Sequence, residues 1–467
     1  MSGKDTNLRP PPYGPAPQGA HGARRADGAP RPRLRAQARV SLAALVALAL
    51  ASGCAGAGDG EPGGGSGSPK SQRLTVWLMQ GSAPDALVAR LNKKFERTHP
   101  GVKVTYRAQQ WGGIQERLRK AFAGGEAPDV IETGNTQTAG FAARDELHDL
   151  TRHTKELGGQ EWLPELAEQG RWKKRQYGVP FFASSRVVVY RKDMFREAGI
   201  EAPPRTREEW LKATRALNAA HKNEKDFQGI YLPGQYWYVL AGFVWDEGGD
   251  LAQRDGEGGW RGSLGGERAR RGMDFYKKLH ALSRTDTGID EGKPLQYEEF
   301  AKGNMAQMVG LPWYAINSVK ANPKLKGKLG AFPVPGKTRA RSGTVFLGGS
   351  HLAVPEASGH KTLARAWIRE MTSRDQQVRL AHQNNAVPAR ADAGRTAAED
   401  ASPVLAAVIK GSREGGVPPI HPRWSGVEEG ANPVKRYMTE VLEGTDPRKA
   451  AKKADTEITR RMNGKAG

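Results

Sequence analysis

The sequence predicts an α/β protein of two lobes, on three observations. Residues 73–132 run strand, loop, helix, strand, helix, strand, the order of a mostly parallel sheet covered by helices. The pattern restarts after "YGVPFFASS", and no short internal period runs through the chain. At 467 residues the chain is also long enough for at least two domains with sizeable cores.

The elements follow in order. An Arg-rich segment (Arg24, Arg25, Arg31, Arg33, Arg35, Arg39) precedes the apolar run "VSLAALVALALA", residues 40–51. That run is short for a bilayer span and has the length of a signal-peptide core, so 1–53 is read as a signal peptide. It ends at "LASGC", where Cys54 is the only cysteine, in a setting that resembles a bacterial lipobox with Cys54 as the lipidated residue. The alternative is a free thiol behind an ordinary signal peptide. Residues 54–72 are Gly/Ser-rich with few apolar side chains, the composition of a flexible tether. No later segment has the ~20 apolar residues of a spanning helix.

"RLTVWLM" (73–79) reads as a buried strand, followed by the polar loop "QGSAPD". Leu87, Val88, Leu91 and Phe95 then share one helical face, stopped at Pro100-Gly101. "VKVTYR" alternates as a strand. Ile114, Leu118 and Phe122 repeat the helical spacing, and "PDVIE" is a third short strand. Ligands of such sheets sit at the C-terminal strand ends, here the loops "QGSAPD" and "TGNTQT". Beyond 178, "RVVVYRKDMFREAGI" is a strand entering a helix, and "TREEWLKATRALNAAH" is a second helix. Further strands are expected at 306–311 and 343–349, and one helix over 361–381 with Leu363, Trp367, Met371 and Val378 on one side.

Composition narrows the function classes. The net charge is +22, but residues 1–39 alone hold eight Lys/Arg against two Asp. The remaining basic residues alternate with acids, as on solvated helix faces, so nucleic acid is not an expected partner. One cysteine allows neither an intramolecular disulfide nor a four-cysteine zinc site, and the ten His lack ligand spacing. No metal and no cofactor is implied. "GGSHL" lacks the closing Gly of a nucleophile elbow, and "GGGSGS" lacks the Lys-Ser/Thr of a phosphate loop. Glu298-Glu299 and Glu428-Glu429 read as charged helix starts rather than the carboxylate pair of a glycosidase. Binding without catalysis is the expectation, and a lipid-anchored glycoside hydrolase is the alternative.

What the loops do hold is amide, hydroxyl and indole. Gln80, Ser82, Asn135, Thr136, Gln137 and Gln235 both donate and accept, as neutral polyols require. Trp111, Trp237, Trp313 and Trp424 each stand near Gly or Pro in loop-like settings, and a flat ring covers the C–H face of a sugar. Trp77, Trp210 and Trp367 fall on strand or helix faces and are assigned to the core. In the aromatic stretch 231–249, Tyr231, Phe243 and Trp245 are likewise assigned to the core. Tyr236, Trp237 and Tyr238 are expected on a loop reaching a cleft.

The strings "LTVWLM", "FAGGEAPDVIETGNTQT", "YGVPFFASSRVVVYRKDMF", "GLPWY", "FLGGSHLAV" and "NNAVPAR" resemble the extracellular solute-binding lipoproteins of carbohydrate ABC transporters, a group that includes maltodextrin-binding proteins. The resemblance covers 73–467. "QQWGGIQERL", "GNTQT", "IYLPGQYWY" and "DEGGDL" are similar to actinobacterial binding proteins for N,N′-diacetylchitobiose. It implies a two-lobed periplasmic-binding-protein-like (type II) fold with a hinge. The first lobe would be 73–184 and 350–386, the second 187–347 and 387–467. It also implies an oligosaccharide ligand, a membrane permease as partner and a monomer anchored outside the cell. By family position Tyr236 or Trp237, Trp313 and Trp424 would stack on sugar. Gln80, Ser82, Asn135, Thr136 and Gln137 would supply the polar edge, with Ser184, Arg186 and Ser350 at the hinge. The neutral "GNTQT" loop departs from the charged one of the maltodextrin branch and suits an acetamido group.

Overall fold

A computed structural model describes residues 72–464 of the chain. The signal peptide assigned to 1–53, Cys54 and all of the tether except Gln72 lie outside the described residues. Among the described residues nine strands build the two larger sheets, beside three two-stranded ribbons: β1 (Gln72–Met79), β2 (Val102–Gln109), β3 (Val130–Gly134), β4 (Gly178–Ser184), β5 (Val187–Arg191), β6 (Gln307–Gly310), β7 (Leu329–Pro333), β8 (Gly348–Ala353) and β9 (Val387–Pro388).

The first sheet has the order β9-β4-β8-β3-β1-β2. The alternation of β1 buries Leu74, Val76 and Leu78. Its parallel neighbours β2 and β3 return through the helices Asp85–Thr98 and Ile114–Ala123, as the sequence predicts. The other half of the sheet differs: β8 runs antiparallel to both β3 and β4, and β9 antiparallel to β4. The sheet is therefore mixed, not mostly parallel. The second sheet, β6-β5-β7, is antiparallel throughout. Its central strand is a continuous apolar run, which fits burial on both faces.

Helices clothe both sheets. Arg207–Ala220 opens with a capping box, Thr206 accepting from the Glu209 N–H while Glu209 accepts from the Thr206 N–H, worth about 1 kcal/mol. It presents Trp210 to the core, and the indole N–H donates to Gln307 Oε1 at 2.8 Å. Trp367 is also fully buried and donates to Asn92 Oδ1 at 2.8 Å. Trp77 is only half-buried, against a smaller apolar cluster. The helix expected over 361–381 is two helices, Lys361–Met371 and Arg374–Asn384. Thr372 turns its hydroxyl back onto the Ile368 carbonyl and Ser373 adopts extended backbone, which ends the first helix.

The chain passes between the sheets at Ser185–Arg186, at Leu347 and beyond β9. Val387 and Pro388, assigned above to the second lobe, pair with the edge of the first sheet. Ala183, Val187, Leu347 and Val387 meet in one apolar cluster at these crossings. This is a two-lobed α/β fold in which the loops after β1 and β3 face the second lobe.

Candidate functional site

The first-lobe wall is built on the ends of β1, β3 and β8. Glu132, fully buried on β3, accepts from the Met79 N–H at 2.8 Å and the Ser82 hydroxyl at 2.6 Å. Burial pushes this carboxyl up to about 7, opposed by the Ser350 and Ser82 hydroxyls and the Met79 N–H. The Ser82 hydroxyl is thus turned inward. The Asn135 amide is also spent on the fold, donating to Gln169 and to the Leu347 carbonyl at 3.1 Å. Gln137 accepts from the Gly134 N–H at 3.2 Å and closes the turn.

His351 fixes the same turn from below. Its Nε2 faces the Leu166 carbonyl at 2.9 Å, so that nitrogen carries the proton. Nδ1 then accepts from the Thr138 hydroxyl at 2.8 Å. Burial depresses its pKa to about 4 and keeps the ring neutral. Both ring nitrogens are occupied, so "GGSHL" makes no serine–histidine pair. On the rim, the exposed Gln80 side chain accepts from Gln110. Trp111 is 40% exposed and stands over Gly134.

Second-lobe aromatics enter differently from expectation. Trp237, Trp313 and Trp424 do not ride on loops; each is the first residue of a helix, Trp237–Asp246, Trp313–Ala321 and Trp424–Glu428. Trp237 is 2% exposed, its ring 4.1 Å from Tyr238 and 5.5 Å from Phe346 between centroids. It packs in the second-lobe core with Tyr236 and Trp424, and Trp424, expected to stack on sugar, is fully buried there. The loop reading of Tyr236–Tyr238 is therefore corrected. Gln235 points away, donating to Thr439 at 3.0 Å. Trp313 is half-buried, packs against the first-lobe core, and its indole nitrogen lies 3.8 Å from where a Gly81 Cβ would stand. Tyr231 and Phe243 are buried and Trp245 is half-buried against the core.

Two charged groups stand where the lobes meet. Arg186, 7% exposed, leaves Nε without a protein partner and makes no ion pair among the described residues. Its guanidinium lies 4.1 Å from the Tyr238 ring centre, 5.4 Å from Phe346 and 5.9 Å from Tyr236. Nearby Ser184 and Ser350 are 2% and 1% exposed; the Ser184 hydroxyl completes no hydrogen bond within the protein, while that of Ser350 is turned toward Glu132. Opposite stands Glu428, which accepts from the first-lobe Thr136 hydroxyl at 2.9 Å and the Trp424 indole at 2.6 Å. Desolvation pushes it up to about 7; the Thr136 and Trp424 bonds and Arg186 pull against that, and Glu429 adds to it.

Glu428 is the residue that sequence reasoning missed. It ends a short helix instead of starting one, and it is half-buried. Glu298-Glu299, by contrast, do lie in a first helical turn. The only available sign was spacing: a carboxyl four residues after a tryptophan shares its helix face. The lobes also touch at Gly140, where an added Cβ would fall 2.9 Å from the Pro422 carbonyl.

Strands crossing between two α/β lobes, with aromatic and polar groups converging where the lobes meet, define the class. The chain belongs to the bacterial extracellular solute-binding proteins, whose family model matches residues 80–378. It is 36% identical to the diacetylchitobiose binding protein DasA of Streptomyces coelicolor, over 84% of this chain and 90% of that protein. It is 23% identical to the maltodextrin-binding protein MdxE of Bacillus subtilis, over 72% and 79% of the two chains. The fold matches the GacH receptor of Streptomyces glaucescens, solved unliganded and with acarbose (TM-score 0.72, 24% identity, 84% of this chain and 99% of that one). It also matches maltose-bound MalE3 of T. maritima (TM-score 0.70, 22% identity, 83% and 98%).

Among the described residues no helix is long and apolar enough to cross a membrane. Nor do they hold a cluster of three or more His, Cys, Asp or Glu side chains suited to a metal ion.

Proposed function

We propose that this chain captures N,N′-diacetylchitobiose, or a related chito-oligosaccharide, and delivers it to the permease of an ABC importer without making or breaking a bond. The observation that carries the reading is the 36% identity to a diacetylchitobiose binding protein across 84% of the chain. The residue types support it: neutral side chains form the "GNTQT" turn, and an unspent hydroxyl at Ser184 accompanies a guanidinium at Arg186 that makes no ion pair. Such groups orient a polyol on an apolar wall.

The protein acts as a monomer held to the outer face of the membrane through a lipid on Cys54, with lobes near the bounds expected from the sequence except that Gly348–Gly349 and Val387–Pro388 belong to the first. Sugar lands on one lobe, and contacts available only in the closed state draw the other across. Trp111 and Trp313 offer ring faces or edges, and the buried Trp424 contributes through its indole N–H on Glu428. Gln80, Thr136, Gln137 and Arg186 offer polar ones. Trp237 and Tyr236 back this wall from the core.

Thermal melts with chitobiose, chitotriose, maltose and cellobiose test the assignment. A ligand at one hundred times its Kd adds about 2.7 kcal/mol, so chitobiose or chitotriose should raise the midpoint by several degrees and maltose should not. No shift with either chito-oligosaccharide contradicts the reading. Chromatography of the same mixtures distinguishes the hydrolase alternative, which alone predicts a monosaccharide accumulating with time.

A further inference from the structure

We propose that Arg461 is a positioning residue for sugar capture: from the C-terminal helix it grips the back of segment 422–431, whose front is a contact of the second lobe with the first. The inference rests on the sugar-binding reading above and assigns part of its affinity to a residue whose own hydrogen bonds all lie within the second lobe.

Segment 422–431 reaches the first lobe at two points. Glu428 accepts from the Thr136 hydroxyl at 2.9 Å, and the Pro422 carbonyl lies 2.9 Å from where a Gly140 Cβ would stand. Trp424 and Val427 anchor the start of the segment in the second-lobe core. Beyond Glu428 that anchorage ends: Glu429 is half-buried, and Gly430 and Ala431 are exposed. The helix Trp424–Glu428 is only five residues long, far too short to persist on its own hydrogen bonds. Its last carbonyls have no N–H of a following turn to accept from.

One guanidinium takes up those carbonyls. Arg461 donates through Nη1 to the Gly426 and Glu429 carbonyls at 3.0 and 3.3 Å, and through Nη2 to the Ala431 carbonyl at 2.9 Å. Its Nε donates to Glu457 at 2.6 Å, one turn back on the helix Pro447–Asn463, which fixes the direction of the fork. Arg423 ties the other end of the segment to the same helix, donating to the Met462 carbonyl at 3.1 Å. A positive charge at the carbonyl end of a helix is also favourable. With Trp424 held in the core and Arg461 behind, Glu428 is set at the register that meets Thr136. Without Arg461 the end of the helix frays, and closure on sugar must order it again at the expense of affinity. A planar fork fits three separate carbonyls, whereas a lysine presents all its N–H groups from one nitrogen.

Titration calorimetry of the full chain with chitobiose, beside hydrogen exchange of the free protein, tests the proposal. Arg461→Ala should weaken binding at least about fivefold, and speed exchange at 425–432 while Pro447–Asn463 keeps its protection. Arg461→Lys should weaken it at least about twofold and carries the test if the Ala variant does not fold. Trp210→Phe breaks the bond to Gln307 in the core of the same lobe; it should lower the thermal midpoint yet change affinity by less than about twofold. Wild-type affinity in both Arg461 variants overturns the proposal. So does a loss in Trp210→Phe as large as that in Arg461→Ala, or faster exchange spread evenly over the second lobe. A wild-type chain that binds no chitobiose overturns the sugar reading instead, and the exchange comparison then decides whether Arg461 holds the segment.

Discussion

Glu132 and Glu428 are glutamates that this fold lifts to about 7, and both were legible only as letters. "PDVIE" reads as a strand whoever its last residue faces, and nothing local says that Met79 and Ser82 will enclose the carboxyl. For Glu132 the linkage runs in one direction. Its folded pKa lies above the ordinary 4.5, so its stabilising contribution is complete below 4.5 and is withdrawn as pH rises through about 7. His351 and His421, both depressed to about 4, contribute above 6.5 and lose that contribution as pH falls through about 4. Comparing Glu132→Gln with wild type cancels the histidines. The variant should gain on the wild type between pH 5 and pH 8 by on the order of 1–3 kcal/mol, read from denaturant melts. A difference that stays constant with pH contradicts the assignment. Tryptophans at the residue scale separate as well. Trp237→Ala should cost about 3–5 kcal/mol of stability, while Trp111→Ala, 40% exposed, should move stability by less than about 0.5 kcal/mol and weaken sugar binding.

Strands and helices with a clear period were readable: β1, β2, β3 and the helices between them follow their apolar spacing. The start of Trp237–Asp246 was not, because Pro233-Gly234 mark a turn that ends three residues before the helix begins. The same holds for Trp313 and Trp424, whose Gly and Pro neighbours signal a loop but not the helix it opens. Placing an indole at a helix start gives it a rigid mount, which sets Trp237 and Trp424 in the second-lobe core and Trp313 against the first lobe. In β8, Gly349 lies against the Phe182 carbonyl, 2.5 Å from where a Cβ would stand. Gly349→Ala should therefore cost about 1–3 kcal/mol, with the crossing strands losing amide-exchange protection before the rest of the first sheet. Uniform protection would show that the crossing does not depend on that close approach.

At the scale of the molecule, the division into two α/β lobes was legible because the strand–helix pattern stops and restarts around 178–187. The direction of strand pairing was not. β8 enters the first sheet from more than 150 residues downstream of β4, and periodicity carries no record of that partner. The site was legible to a similar depth. Residue type pointed to neutral and aromatic side chains, but it did not reveal which polar groups the fold would consume, as at Ser82 and Asn135, or leave unspent, as at Ser184. Contacts between the lobes at Thr136–Glu428, Gly81–Trp313 and Gly140–Pro422 put these groups on one surface. The central claim is that this surface closes on an amide-bearing oligosaccharide. Titration calorimetry of the full chain with N,N′-diacetylchitobiose tests it most directly. Saturable one-to-one binding with Kd of about 10 µM or tighter, some 7 kcal/mol, is the expected result. Heats that stay flat into the millimolar range would contradict it.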